Sequence, residues 1–311
     1  MPSSFLSLAL LFCFSSLSVL GQVGGVPVTK PQRPLPAIEH VVLISIDGLR
    51  PDRALLADMP TLRSMLKNGT YTFWAKTTAV AVTLPSHTSM LTGVIPYKHG
   101  IEWNHDLPLS EPVYPAVPTI FEMAVKSGYT TALIAGKSKF SALNKPGTVT
   151  YPVIPSAAGV SNEQVIDAAV KVIEAHKPDL IFIHFPDVDS TGHGKGWGSA
   201  EQLASIEKTD TQLAKVFAAL DHVGIREKTF VLVTADHGGA GRSHGADDPR
   251  SRHIPWIVVG PGVRKNFDLT SFAALEVRTE DTCATACYLL GLPQRPYFDG
   301  HPVMAAFEAG P

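Results

Sequence analysis

Acidic and imidazole side chains gather at a few points of this chain, each directly after an apolar run. Val41-Val42-Leu43-Ile44-Ser45-Ile46 leads into Asp47, and Thr229–Thr234 leads through Ala235 into Asp236-His237-Gly238. Leu180-Ile181-Phe182-Ile183-His184 continues into Phe185-Pro186-Asp187-Val188-Asp189-Ser190-Thr191-Gly192-His193, and Ser243-His244-Gly245 follows Asp236-His237 across a glycine-rich turn. An acid ending a hydrophobic strand is costly unless paired, coordinated or solvated. A lone Asp47 reads equally well as a turn or helix cap, and each pair alone could be structural. Three strand ends carrying Asp/His sets together point to a metal centre, since carboxylate and imidazole are both good zinc donors. The chain has only twelve histidines, so three of them at these loops carry information. Asp189 and His193 stand four apart, with Gly192 expected to bend the chain so that both face one ion; Asp187 competes with Asp189 for that role.

A hydroxyl completes the set. Thr83-Leu84-Pro85-Ser86-His87 reads as a helix start, because proline suits the first helical turn. Thr83 then sits near the N-cap, either as a plain capping threonine or beside an anion held by the helix N-terminus.

The elements that must position these residues alternate. Buried strands are expected at 41–46, 131–135, 180–184, 229–234 and 254–259, with helices around 59–68, 118–127, 161–176, 199–222 and 279–291. Near-continuous apolar strands separated by helices predict an α/β fold, a mostly parallel sheet covered on both faces. Ligands in such folds collect beyond the carboxyl ends of the strands, where the Asp and His residues lie. The proline-rich stretch 95–118 is expected to be a loop that shapes the site.

The 311 residues are 45% apolar and 17% charged, with a formal net charge of −2. That gives no broad basic field for polymeric nucleic acid. Phe5 to Leu20 is an apolar run, short for a membrane span, with a signal-peptidase cut expected after Gly21. The organisation expected is therefore a signal peptide at 1–21, an extended Gly/Pro-rich leader at 22–38 and one catalytic domain at 39–311, exported to the periplasm or the extracellular space. Cys283 and Cys287 read as core thiols of a helix, where a disulfide would be strained.

Together these residues resemble the alkaline phosphatase superfamily, most of all its type I phosphodiesterase and nucleotide pyrophosphatase branch. The resemblance runs from about 39 to 305 through Ser45-Ile46-Asp47-Gly48-Leu49-Arg50-Pro51, Thr83-Leu84-Pro85-Ser86-His87, Thr92-Gly93, His99-Gly100-Ile101 with Asn104, Asp189-Ser190-Thr191-Gly192-His193, Asp236-His237-Gly238, Ile254-Pro255-Trp256 and Gly260-Pro261-Gly262-Val263, in the family's order. It implies one zinc held by Asp47, Asp236 and His237 with Thr83 as a shared nucleophilic ligand, and a second held by Asp189, His193 and His244, with His253 the alternative to His244. Manganese or iron suits the same donors. It also implies a small phosphate-ester substrate, a phospho-Thr83 intermediate, and Asn104 together with backbone N–H groups near Leu84 as donors to phosphoryl oxygens. Phosphodiesters are favoured over monoesters and phosphonates, and a non-catalytic binding module on the same scaffold is the reading from another class.

Two departures bear on substrate. Leu84 stands where the nucleotide-cleaving members favour an aromatic, and His184-Phe185-Pro186-Asp187-Val188 lacks their usual Tyr and paired acids. Phe185, Trp103 or Trp197 are the remaining aromatics that could stack on a base. A sulfatase would need Cys or Ser at position 83 and Arg at 87, where this chain has Thr83 and His87.

Overall fold

The computed structural model describes residues 28–156, 159–245, 247–272 and 274–308. The expected signal peptide and the first residues of the leader lie outside the described residues. Residues 28–38 lie against the domain: Lys30 Nζ and Arg33 Nη2 both reach Asp179 Oδ1, at 2.7 and 3.4 Å, and Ile38 is fully buried.

The centre of the molecule is β1 (His40–Ile46), whose residues from Val41 onward are all buried. It pairs in parallel with β5 (Leu180–Phe185) on one side and β6 (Thr229–Thr234) on the other, Val41 lying level with Leu180 and Phe230. Outward from β5 come β3 (Thr131–Ala135) and β4 (Tyr151–Val153); outward from β6 come β7 (His253–Val259), β2 (Thr70–Lys76) and β8 (Phe267–Asp268). The order is β4-β3-β5-β1-β6-β7-β2-β8, and every strand but β7 runs in the same direction. The mostly parallel α/β architecture is thus as expected, with β7 reversed.

Strands buried at every position need cover on both faces. Helices Pro60–Asn68 and Asn162–His176 pack on the long helix Ala200–His222, while Thr83–Thr92 packs on Thr279–Leu289. Cys283 and Cys287 are buried free thiols on the last of these. No helix among the described residues is long and apolar enough to cross a membrane.

Two local expectations are corrected. The segment after β5 is not a glycine bend but a helix, Asp187–Lys195, so Asp189 and His193 share a face as an i, i+4 pair. Gly192 serves a close approach instead: a Cβ there would lie 2.7 Å from the Trp197 ring. In the other helix, Val82 is the N-cap, Thr83 the first helical residue and Pro85 the third, so the Thr83 hydroxyl is not spent on capping.

Helix Pro60–Asn68 has no capping side chain of its own. The N–H groups of its second and third residues, Thr61 and Leu62, donate to Asp210 Oδ2 and Oδ1 at 2.8 and 2.9 Å. Asp210 is buried on the long helix and so acts as an N-cap supplied by another element. Losing such a partner for two buried donors costs about 2–3 kcal/mol. Asp210→Ala is therefore expected to lower the denaturant midpoint with an unchanged m-value, and an unaltered midpoint would remove this cap from the account.

Candidate metal centre

Because β1 lies between β5 and β6, the residues that follow these three strands are neighbours. Asp47 follows β1 directly, Asp236 stands two residues beyond β6, and Asp189 rides on the first turn of the helix after β5. All three carboxylates are buried, with exposures of 0, 0 and 3%. The turn at Gly48 has a left-handed φ of +76°, and a Cβ there would come within 3.0 Å of the Asp189 Cα, so glycine brings the two loops together. The Gly48 N–H donates to Asp236 Oδ1 at 3.2 Å, tying the β1 and β6 ends.

Two groups of donors result. His237 Nε2 lies 3.2 Å from Asp236 Oδ2, 3.3 Å from Asp47 Oδ1 and 3.3 Å from the Thr83 hydroxyl, with Asp189 Oδ1 at 4.0 Å. Asp189 Oδ1 also lies 3.4 Å from His193 Nε2 and 3.6 Å from His244 Nε2, and those two nitrogens are 3.1 Å apart. Thr83, Asp47, Asp189, His193, Asp236, His237 and His244 are all brought to one place. Asp47, Asp189 and His237, and separately Asp189, His193 and His244, stand close enough to hold a metal ion.

The protonation pattern favours cations. The Nδ1–H groups of His193, His237 and His244 donate to the carbonyls of Arg242, Gly238 and Ala81, at 3.0, 2.8 and 2.8 Å, which leaves each Nε2 with its lone pair directed into the site. Asp47 Oδ1, Asp189 Oδ1 and Asp236 Oδ2 are buried with no hydrogen-bond partner. Unpartnered carboxylate oxygens and facing imidazole lone pairs are tolerable only around positive charge. The donor set fits two divalent cations. Burial and the neighbouring His244 push His237 down to about 4, and burial likewise lowers His244, so both are neutral near pH 7. His193 is raised by the hydrogen bond its Nε2 makes to Asp189 when the ring is protonated, so its lone pair faces the site only in the neutral form. Asp236, buried beside the Asp47 charge, is held well above the usual carboxylate range.

Several residues in the site were not legible as such beforehand. Lys137, after β3, places its ammonium 2.6 Å from Asp47 Oδ2 and 2.6 Å from Asp189 Oδ2. Burial would raise Asp47, but Lys137 and His184 keep it well below its ordinary value. His184 accepts the Gly136 N–H at Nδ1 and therefore donates from Nε2 to Asp47 Oδ2, at 3.1 and 2.9 Å. His87 crosslinks the Thr83 helix to β1: its Nδ1–H donates to the Thr83 carbonyl and its Nε2 accepts from the Ser45 hydroxyl, both at 2.8 Å. The strand-end rule could have found Lys137, since Gly136-Lys137-Ser138-Lys139 directly follows β3.

Asn104 is placed by two donors to its Oδ1, the Leu84 N–H at 2.9 Å and Lys139 Nζ at 3.1 Å. The Leu84 N–H, expected to be free for a phosphoryl oxygen, is thus engaged, while the Nδ2 end of Asn104 is left available. His253 stacks on Trp74 at 4.0 Å and belongs to neither donor group. Asp187 Oδ1 accepts the Asn162 N–H and joins neither group. Of the candidate stacking aromatics, Phe185 is core and Trp197 is buried with its indole N–H on the Gly48 carbonyl. Trp103 lines a cavity of about 130 Å³ with Leu84.

The type I phosphodiesterase / nucleotide pyrophosphatase family matches residues 41–247. Human bis(5'-adenosyl)-triphosphatase ENPP4 is 24% identical over 220 residues, covering 64% of this chain and 47% of that protein. The chain thus spans about half the length of the curated relatives it matches over that region. Among solved structures, the inactive form of murine ectonucleotide pyrophosphatase / phosphodiesterase 5 in complex with AMP superposes with a TM-score of 0.68 at 16% identity, over 87% of this chain and all of that one. A 2-O GAG sulfatase superposes with a TM-score of 0.71 at 15% identity, over 87% and 74% of the two chains. Both are alkaline-phosphatase-like folds.

Lys137 is the fixed cation between two of the buried carboxylates. Removing one partner of such a buried pair costs about 3–5 kcal/mol. Lys137→Gln is expected to lower the melting temperature of chelator-treated protein, with added zinc restoring more stability than it gives the wild type. Equal melting temperatures for the two chelated proteins would show that the ammonium does not serve as a counter-ion.

Proposed function

The chain belongs to the type I phosphodiesterase / nucleotide pyrophosphatase family, and we propose that it is a two-zinc hydrolase of phosphate esters, phosphodiesters favoured, with Thr83 as the nucleophile. Asp47, Asp236, His237 and Thr83 would hold one cation, and Asp189, His193 and His244 the other. The observation that carries this reading is the Thr83 hydroxyl, unspent on capping, 3.3 Å from the imidazole nitrogen that two carboxylates also approach.

When bound, the two cations supply positive charge that favours the alkoxide and offsets charge on the leaving oxygen. The chain's own residues do the rest. Thr83 Oγ1, its proton lost to solvent, attacks phosphorus in line, forming the Oγ1–P bond as the ester P–O bond opposite it breaks and the departing oxygen takes a proton from solvent. Water then attacks the phospho-Thr83 ester, breaking Oγ1–P and releasing the phosphate product. Thr83 opens a ten-residue helix, and the N-terminal end of that helix favours the phosphoryl charge. Asn104, with its carbonyl end pinned, donates from Nδ2 to a non-bridging oxygen. His184 and Lys137 keep Asp47 ionised and aimed into the centre. Residues 39–311 form the catalytic domain in this reading, and the apolar run within 1–21 directs export.

Thr83→Ala is expected to reduce turnover of bis-p-nitrophenyl phosphate by on the order of a thousandfold or more while zinc content stays near the wild-type value. Near-normal turnover would remove Thr83 as nucleophile. His244→Ala is expected to lower bound zinc from two ions to one per chain by elemental analysis; undiminished zinc would assign that ligand elsewhere, His253 being the alternative.

A further inference from the structure

A cavity of about 440 Å³ opens beside Lys137, between the loop after β3 and the start of the helix Asp187–Lys195. Its volume falls in the range of small-molecule sites, about 300–1,000 Å³. Lys137 contacts Asp47 and Asp189, so the cavity adjoins the Asp47–Asp189 side of the proposed metal centre. We propose that it receives a neutral, polyhydroxylated group carried on the phosphate, a sugar or polyol. The inference rests on the hydrolase reading above and specifies its substrate.

The walls carry this. Asp106 and Asp187 each have one oxygen engaged and one left to accept. Asp106 Oδ2 takes the Ser138 hydroxyl at 2.6 Å, and Asp187 Oδ1 takes the Asn162 N–H at 3.1 Å. Lys139 donates to the carbonyl and Oδ1 of Asn104 at 2.7 and 3.1 Å, which leaves its ammonium a further N–H. Hydroxyls, which both donate and accept, satisfy two carboxylate oxygens and an ammonium at once. The same walls disfavour the alternatives. Two carboxylates and two ammoniums sum to no net charge, so neither a second phosphate nor a cationic head group gains a net attraction there. No aromatic among the described residues lines the cavity, so a nucleobase finds nothing there to stack on. The neighbouring cavity between Leu84 and Trp103, which does hold an aromatic, is about 130 Å³ and well below the size range of such sites.

The test compares two diesters with the same leaving group, glyceryl p-nitrophenyl phosphate and ethyl p-nitrophenyl phosphate, on the zinc-loaded full chain, with the p-nitrophenyl ester of thymidine 5'-phosphate as a third substrate. After subtraction of the p-nitrophenol released with Thr83→Ala protein, which reports displacement by the glyceryl ester's own 2-hydroxyl, the glyceryl ester is expected to exceed the ethyl ester about tenfold in kcat/KM, which corresponds to about one good hydrogen bond. Asp187→Asn keeps the acceptor for the Asn162 N–H, and in both Asp187→Asn and Asp106→Asn that ratio is expected to fall severalfold, chiefly through KM for the glyceryl ester. Equal rates on the glyceryl and ethyl esters, a preference for the thymidine ester, or a ratio untouched by both variants would overturn the inference while leaving the hydrolase reading in place. Hydrolysis of none of the three would overturn both.

Discussion

Three carboxylates withdrawn from water at adjacent strand ends are the constraint on which this structure turns. Burial raises the cost of each charge, and each charge raises the cost of the next. Asp236 shows the outcome, with a carboxyl held well above its ordinary range beside ionised Asp47. Such a cluster persists only if positive charge is built in or bound. Lys137 is the built-in part, bridging Asp47 Oδ2 and Asp189 Oδ2 and leaving the Oδ1 atoms of both turned inward. The three imidazoles, locked by carbonyls on their far sides, present the neutral nitrogens that divalent cations take.

The fold answers that constraint through strand order. Placing β1 between β5 and β6 brings the loop after β1 to two loops that follow it more than a hundred residues later in the sequence, and Gly48 lets two of the three touch. The nucleophile helix arrives from a different part of the chain and is pinned beneath by His87, whose two nitrogens reach the Thr83 carbonyl and the Ser45 hydroxyl of β1. A helix pinned to the central strand thus aims the hydroxyl, as a preorganised site requires.

Much of this was legible in the residues because the signals were strong and local. Five nearly continuous apolar runs read as strands buried on both faces, and Asp or His at their ends had to be explained by chemistry. What was not legible depended on tertiary contact. Thr70–Lys76 alternates buried and partly exposed residues and ends in a lysine, so its place beside β7 comes from pairing rather than from its own pattern. Gly192 reads as a bend in isolation and proves to be room for the Trp197 ring. Lys137 and Lys139 look like solvated loop charges until β3 is set next to β5, which turns one toward two aspartates and the other toward Asn104. Sequence spacing likewise could not say that the Leu84 N–H is taken by Asn104.

Diffraction from crystals of the zinc-loaded protein, recorded at the zinc absorption edge, measures the central claim directly. Two anomalous peaks are expected, one within about 2.0–2.2 Å of donors from Asp47, Asp236 and His237 and one similarly placed among Asp189, His193 and His244. A density map with neither peak at this cluster, its carboxylates satisfied by Lys137 and water alone, would contradict the account.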